Sequence, residues 1–204
     1  MRTRKEQHKA KGSTRKEVIE AENNPDIYIY QYEDRSSNRS RKNEKNLKNN
    51  LPKEIVRAIN LNDFQVVGDW STADTVNLVD NEDRTAIFHA IIVNYIDIIS
   101  VLLRKGSALN IKDFRGWYPL HYAAQNYLPK VVNMLIENGA LLEVKDDYGN
   151  TPLWRAAFAS EGRGDVIKLL LLSGADPHNP NNSGVTPYKL AHSIANYDVR
   201  QFFE

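Results

Sequence analysis

The sequence predicts an all-α solenoid of stacked helix-turn-helix units joined by hairpin or turn fingers, and three observations predict it. The run Gly116-Trp-Tyr-Pro-Leu-His-Tyr-Ala-Ala124 recurs as Gly149-Asn-Thr-Pro-Leu-Trp-Arg-Ala-Ala157, and the interval between the two starts sets a period. A weaker copy, Asp83 to Ile91, lies one such period before the first, and another, Gly184 to Ala191, lies slightly more than one period after the second. A second landmark keeps nearly the same clock: Leu102-Leu-Arg-Lys-Gly-Ser-Ala108, Leu135-Ile-Glu-Asn-Gly-Ala140 and Leu170-Leu-Leu-Ser-Gly-Ala-Asp176. Units of this length cannot bury their own apolar faces, so stacking must supply the core.

The elements follow in chain order. Residues 1–50 carry 13 Lys and Arg against 8 Asp and Glu, whereas 51–204 carry 14 against 18, so a basic tail precedes an acidic body. Only 11 apolar residues occur in the tail, too few to offset the entropy of ordering it, so it is expected to be mostly disordered. One island, Ile27-Tyr-Ile-Tyr-Gln-Tyr32, is strand-like and suited to a partner's sheet edge. Residues 51–78 read as an N-terminal cap, because Ala58 to Val67 parallels Ala90 to Ile99 without the turn signature. Full repeats are expected at 79–111, 112–144 and 145–179, and a truncated C-terminal cap at 180–204. Thr-Pro opens the first helix, with Thr151 as cap and Pro152 in the first turn, where a missing N–H costs nothing. Apolar pairs at helical spacing mark the second helices, such as Ile98, Ile99, Leu102 and Leu103, and Gly106, Gly139 and Gly174 follow their ends. Repeat three carries two extra residues within Ser160-Glu-Gly-Arg-Gly164, read equally well as a neutral loop or as a longer rim.

These runs resemble the ankyrin repeat, whose signature is Gly-x-Thr-Pro-Leu-His-x-Ala-Ala followed by a second helix ending in Gly-Ala-Asp. The resemblance spans 51–204 and implies a protein-binding module working through its concave surface. His121 matches the family's structural histidine, while Phe88, Trp154 and Lys189 stand in its place elsewhere, which puts the usual inter-repeat hydrogen bond in doubt there. The family's variable positions, carried over, assign partner binding to Lys112, Phe114, Arg115, Trp117, Tyr122 and Gln125 in repeat two. In repeat three they assign it to Tyr148, Asn150, Arg155 and Phe158, with Lys145 and Asp147 beside them, and in repeat one to Val79, Asn81, Glu82, Arg84 and Ile92. In this register Phe114, Trp117, Tyr148 and Phe158 have no core to enter, so truncating Trp117 is expected to weaken binding without lowering stability. The combination of Tyr148 to Ala156, Arg163 to Lys168 and Asn181 to Pro187 is also similar to small bacterial ankyrin proteins, some of them immunity proteins that silence secreted toxins.

Nothing in the sequence assembles a catalytic site. The chain has no cysteine, which removes disulfides and thiolate chemistry and fits a reducing cytoplasm. None of the five histidines pairs with another at metal-ligand spacing, no phosphate loop or Gly-x-Ser-x-Gly elbow is present, and no metal or cofactor is implied. No apolar run approaches a membrane span and the N-terminus lacks the core of a secretory signal. The expectation is therefore a cytoplasmic, non-enzymatic monomer that holds one protein partner, with no small-molecule substrate, membrane contact or nucleic-acid target. The alternative is an adaptor whose basic tail, rich in cations from Arg35 to Lys48, associates with nucleic acid or an acidic surface.

Overall fold

The computed structural model describes residues 50–204 and, before them, the backbone of Ile19–Glu20 and Tyr28–Ile29. The chain divides into two units, Met1–Ser40 and Arg41–Glu204. In the first, β1 (Ile19–Glu20) and β2 (Tyr28–Ile29) form an antiparallel pair with Ile19 opposite Ile29 and Glu20 opposite Tyr28. Two residues of the strand-like island therefore pair within the tail; the expected disorder of the rest of it lies outside the described residues.

The second unit is the repeat array. A short cap, α1 (Lys53–Asn60) and α2 (Phe64–Trp70), precedes three helix pairs: α3 (Ala86–Val93) with α4 (Ile96–Arg104), α5 (Pro119–Gln125) with α6 (Pro129–Glu137), and α7 (Pro152–Phe158) with α8 (Asp165–Leu172). After these come α9 (Pro187–Ser193) and a single 3-10 turn, Arg200–Phe202, in the place of a full second helix. First helices pack on first helices (α1, α3, α5, α7, α9) and second on second (α2, α4, α6, α8), so the core lies between two layers. Phe88, Ile91, Ile98, Leu102, Leu120, Leu135, Leu153 and Leu170 are enclosed there, and Ala90, Ala123, Ala124, Ala156 and Ala157 let the first helices approach closely. Thr151 and Thr186 cap α7 and α9 by accepting from the amides of Trp154 and Lys189. Among residues 50–204 the fingers are turns without strands, apart from one isolated bridge between Asn50 and Val79.

Side-chain amides tie the loops that follow the second helices. Asn77 donates to the carbonyl of Gly106 and accepts from Ala108 N–H, and Asn110, one repeat on, does the same with Gly139 and Leu141. Glu143 takes the next place; being an acceptor alone, it bonds the amide of Asp176 and the side chain of Asn179 instead.

The insertion in repeat three is a packed loop. Tyr127 donates its hydroxyl to the Arg163 carbonyl, and the Arg163 guanidinium lies 4.1 Å from the centre of the Tyr127 ring while bonding the carbonyls of Ser160 and Ala159. Burial pushes the Tyr127 hydroxyl up to about 12, so it stays a donor. Gly162 leaves room for Tyr197 and Gly164 for the Phe202 ring, so the extra residues seat the C-terminal turn.

Two outcomes follow from this packing. Leu135→Ala should lower the unfolding free energy by about 2–5 kcal/mol in denaturant titration, because Leu135 is 0% exposed and its loss leaves a cavity. Gly164→Ala should lower stability through collision with the Phe202 ring, and the loss should shrink when Phe202→Ala is combined with it in a double-mutant cycle.

Candidate functional site

Four side chains at equivalent places, Asp80, Asp113, Asp146 and Asn181, organise the four fingers. In each, one side-chain oxygen accepts from the amides two and four residues ahead: Glu82 and Arg84, Arg115 and Trp117, Tyr148 and Asn150, Ser183 and Val185, at 2.7–3.0 Å. The backbone closes the same loop, with the amide of the first residue donating to the carbonyl of the fifth. A short polar side chain that accepts from its own following amides replaces the strand ladder the finger lacks.

The second carboxylate oxygen of each aspartate reaches the first helix, always nine residues ahead. It bonds His89 Nε2 at 2.8 Å from Asp80, the Tyr122 hydroxyl at 2.6 Å from Asp113, and Arg155 through Nε at 3.0 Å and again through Nη2 from Asp146. In the last unit Leu190 stands nine residues on, and Asn181 instead donates to Asn150 Oδ1 of the preceding finger. Burial and the Asp113 acceptor push the Tyr122 hydroxyl far above its ordinary range, which keeps it protonated as a donor. Burial alone would raise the Asp80 carboxyl, but His89 and the amides of Arg84 and Glu82 outweigh it and hold the carboxyl below its usual range.

Contacts between repeats build on these anchors. Arg84 bonds Asp113 and the Tyr122 hydroxyl across the first boundary, while its guanidinium lies near the rings of Tyr122 and Phe114. Arg155 lies 4.4 Å from the centre of the Trp117 ring across the second. His121 Nε2 bonds the carbonyl of Asn150 at 2.8 Å, and its Nδ1 accepts from Tyr118 N–H, which fixes the tautomer with the proton on Nε2. Burial lowers the pKa of His121 to about 4, so the ring is neutral at pH 7. Phe88, Trp154 and Lys189 make no such bond: the Trp154 indole N–H has no acceptor among the described residues, and its ring stacks on Phe158 at 5.5 Å.

The ten expected contact residues separate accordingly. Lys112, Phe114, Arg115 and Phe158 are exposed, and Tyr148 and Gln125 are half-buried. Trp117, Tyr122, Asn150 and Arg155 are interior, which corrects the expectation that Trp117 has no core to enter. It is 6% exposed, packed on Tyr122 at 5.0 Å and under Arg155. The turn made by Asp113 aims Trp117 inward at the repeat boundary, where Arg155 covers the ring. The expectation that its truncation leaves stability unchanged falls with this. The clue present in the sequence was the pairing of Asp113 with Tyr122 and of Asp146 with Arg155 at a constant nine-residue offset. Glycine is required at the tips: Gly116 and Gly149 have φ of 76° and 77°, and a methyl there would fall on Asp147 or Asn182 of the next finger.

No group of three or more His, Cys, Asp or Glu able to hold a metal occurs among the described residues, and no helix among them is long and apolar enough to cross a membrane. The family profile described as ankyrin repeats in three copies matches residues 48–146 and 108–181. No curated protein matches the chain.

Arg155→Met should lower stability by about 3–5 kcal/mol, because it leaves the enclosed Asp146 carboxylate without its cation. Trp117→Ala should be destabilising by a similar order, about 3–5 kcal/mol; denaturant titration of both variants is the check. For His121 the folded pKa is depressed below the unfolded value of 6.5, so the unfolded chain binds the proton first as pH falls. Its contribution is complete above about pH 6.5 and declines toward pH 4, by at most about 1.4 kcal/mol per pH unit. His121→Gln should flatten the stability profile across that window; an unchanged slope would assign it to other groups.

Proposed function

The chain belongs to the ankyrin-repeat family, whose members are generally protein-interaction modules, and from that premise we propose that it binds one protein partner through the fingers and first helices of repeats two and three. The single observation that carries this reading is the exposure of large rings already fixed in place. Phe114, 44% exposed at the tip of finger two, lies near the guanidiniums of Arg84 at 5.7 Å and Arg115 at 5.0 Å. Phe158, 41% exposed on α7, is stacked on Trp154. Rings held by neighbours lose little rotamer freedom on binding, and aromatic and arginine side chains dominate interface energies. The interior residues of the expected contact set, Trp117, Tyr122, Asn150 and Arg155, support these positions from beneath. Ile92, exposed on α3 at the place equivalent to Gln125, extends the row toward repeat one. Such a face suits an inhibitor or immunity protein that silences a partner by covering it, with no chemistry of its own.

The test is capture from the native host, quantified by mass spectrometry and then measured with the purified partner. Phe114→Ala and Phe158→Ala should each weaken binding by about 2 kcal/mol or more while the melting temperature stays near that of the parent. Lys130→Ala and Arg104→Ala, exposed on the second helices, should bind normally. Normal binding by the first pair together with loss in the second would reject the assigned face.

A further inference from the structure

The second helices of the three full repeats end in a turn on glycine, and the residue before that glycine differs: Lys105-Gly106, Asn138-Gly139 and Ser173-Gly174. Asn138-Gly139 is the one Asn-Gly pair in the chain. Such a pair carries a reaction of its own. The backbone nitrogen that follows an asparagine can attack the side-chain amide carbon, expelling ammonia and closing a succinimide. Water then opens the ring to aspartate or isoaspartate. Glycine offers that nitrogen with no side chain to shield it, and Asn138 and Gly139 are both exposed.

In the folded chain both reacting groups are tied. The Gly139 amide donates to the Ile136 carbonyl at 3.0 Å and the Ala140 amide to the Leu135 carbonyl at 2.9 Å, the paired bonds that close a helix on a left-handed glycine. The Asn138 side chain is turned back along α6, with Nδ2 donating to the Met134 carbonyl at 2.8 Å. The succinimide can form only when this turn opens, and helix ends open at far lower free energy than a core does. The turn also carries a contact between repeats: Asn110 of repeat one donates to the Gly139 carbonyl at 3.0 Å and accepts from the Leu141 amide at 2.9 Å.

We propose that Asn138 is a site of spontaneous deamidation, gated by opening of the last turn of α6, whose isoaspartyl product unfastens Asn110 and so loosens the loop contact between repeats one and two. Isoaspartate routes the chain through the side-chain carbons, which lengthens the backbone by one carbon immediately before Gly139. The amides of Gly139 and Ala140 then lose their register with Ile136 and Leu135, and the Gly139 carbonyl and Leu141 amide shift away from Asn110. Aspartate leaves the backbone length unchanged. It removes the donor to Met134 and adds a carboxylate beside Glu137 at the end of α6, where the helix dipole disfavours negative charge.

The test holds the full chain at mildly alkaline pH, once in native buffer and once in urea, and samples both over time. After digestion, liquid chromatography and mass spectrometry resolve the peptide spanning Asn138 into its asparagine, aspartate and isoaspartate forms. Asn138 should convert in both, at least about tenfold more slowly in native buffer, because only the opened turn reacts. Aged native chain enriched in isoaspartate should lose at least about tenfold in hydrogen-exchange protection at the Leu141 amide, whereas Asn138→Asp should keep most of it. Absence of conversion at Asn138 in either sample would overturn the assignment of the site, and equal rates in the two would overturn the gate. Parent-like protection of Leu141 in the isoaspartyl chain, or an equal loss in Asn138→Asp, would overturn the link to Asn110.

Discussion

A carboxylate at the base of each of the first three fingers ties that finger to its first helix. Asp80, Asp113 and Asp146 each spend one oxygen on two amides of their own loop and the other on a side chain nine residues ahead on the first helix. The loop has no strand partners, so without this interaction the amides of the turn would be left to water. With it, the finger is coupled to the helix beside it.

The residue nine positions ahead changes from repeat to repeat, and the change sets what each boundary is made of. Tyr122 accepts from Arg84 as well as donating to Asp113, which draws repeat one onto repeat two. Arg155 neutralises Asp146 and covers Trp117, which draws repeat two onto repeat three. Replacement by Leu190 ends the series, and finger four leans back on Asn150 through Asn181. The same economy appears in the histidine row, where His121 alone reaches the next finger's carbonyl and Trp154 turns the position over to a stacked pair with Phe158.

Periodicity made most of the fold legible. Thr-Pro starts, alanine pairs and post-helical glycines each have a local physical cause, so the helices stand where the pattern places them. A single turn, Arg200–Phe202, follows α9. The site was legible only in outline. Phe114 and Phe158 could be read as outward because they interrupt a pattern that wants neither. Trp117 could not be told from them, because its direction depends on the Arg155 guanidinium, which arrives from the next repeat. The packing of Ser160 to Gly164 was likewise hidden, since the rings set against Gly162 and Gly164 arrive from the C-terminus.

Amide hydrogen exchange in Asp146→Ala bears most directly on the coupling of finger to helix. The amides of Tyr148 and Asn150 donate to the Asp146 carboxylate in the parent. Their protection should fall sharply in the variant, while the amides of α5, one repeat away, keep most of theirs. Protection at Tyr148 and Asn150 equal to that of the parent would show that the finger stands without its carboxylate, and would contradict the account.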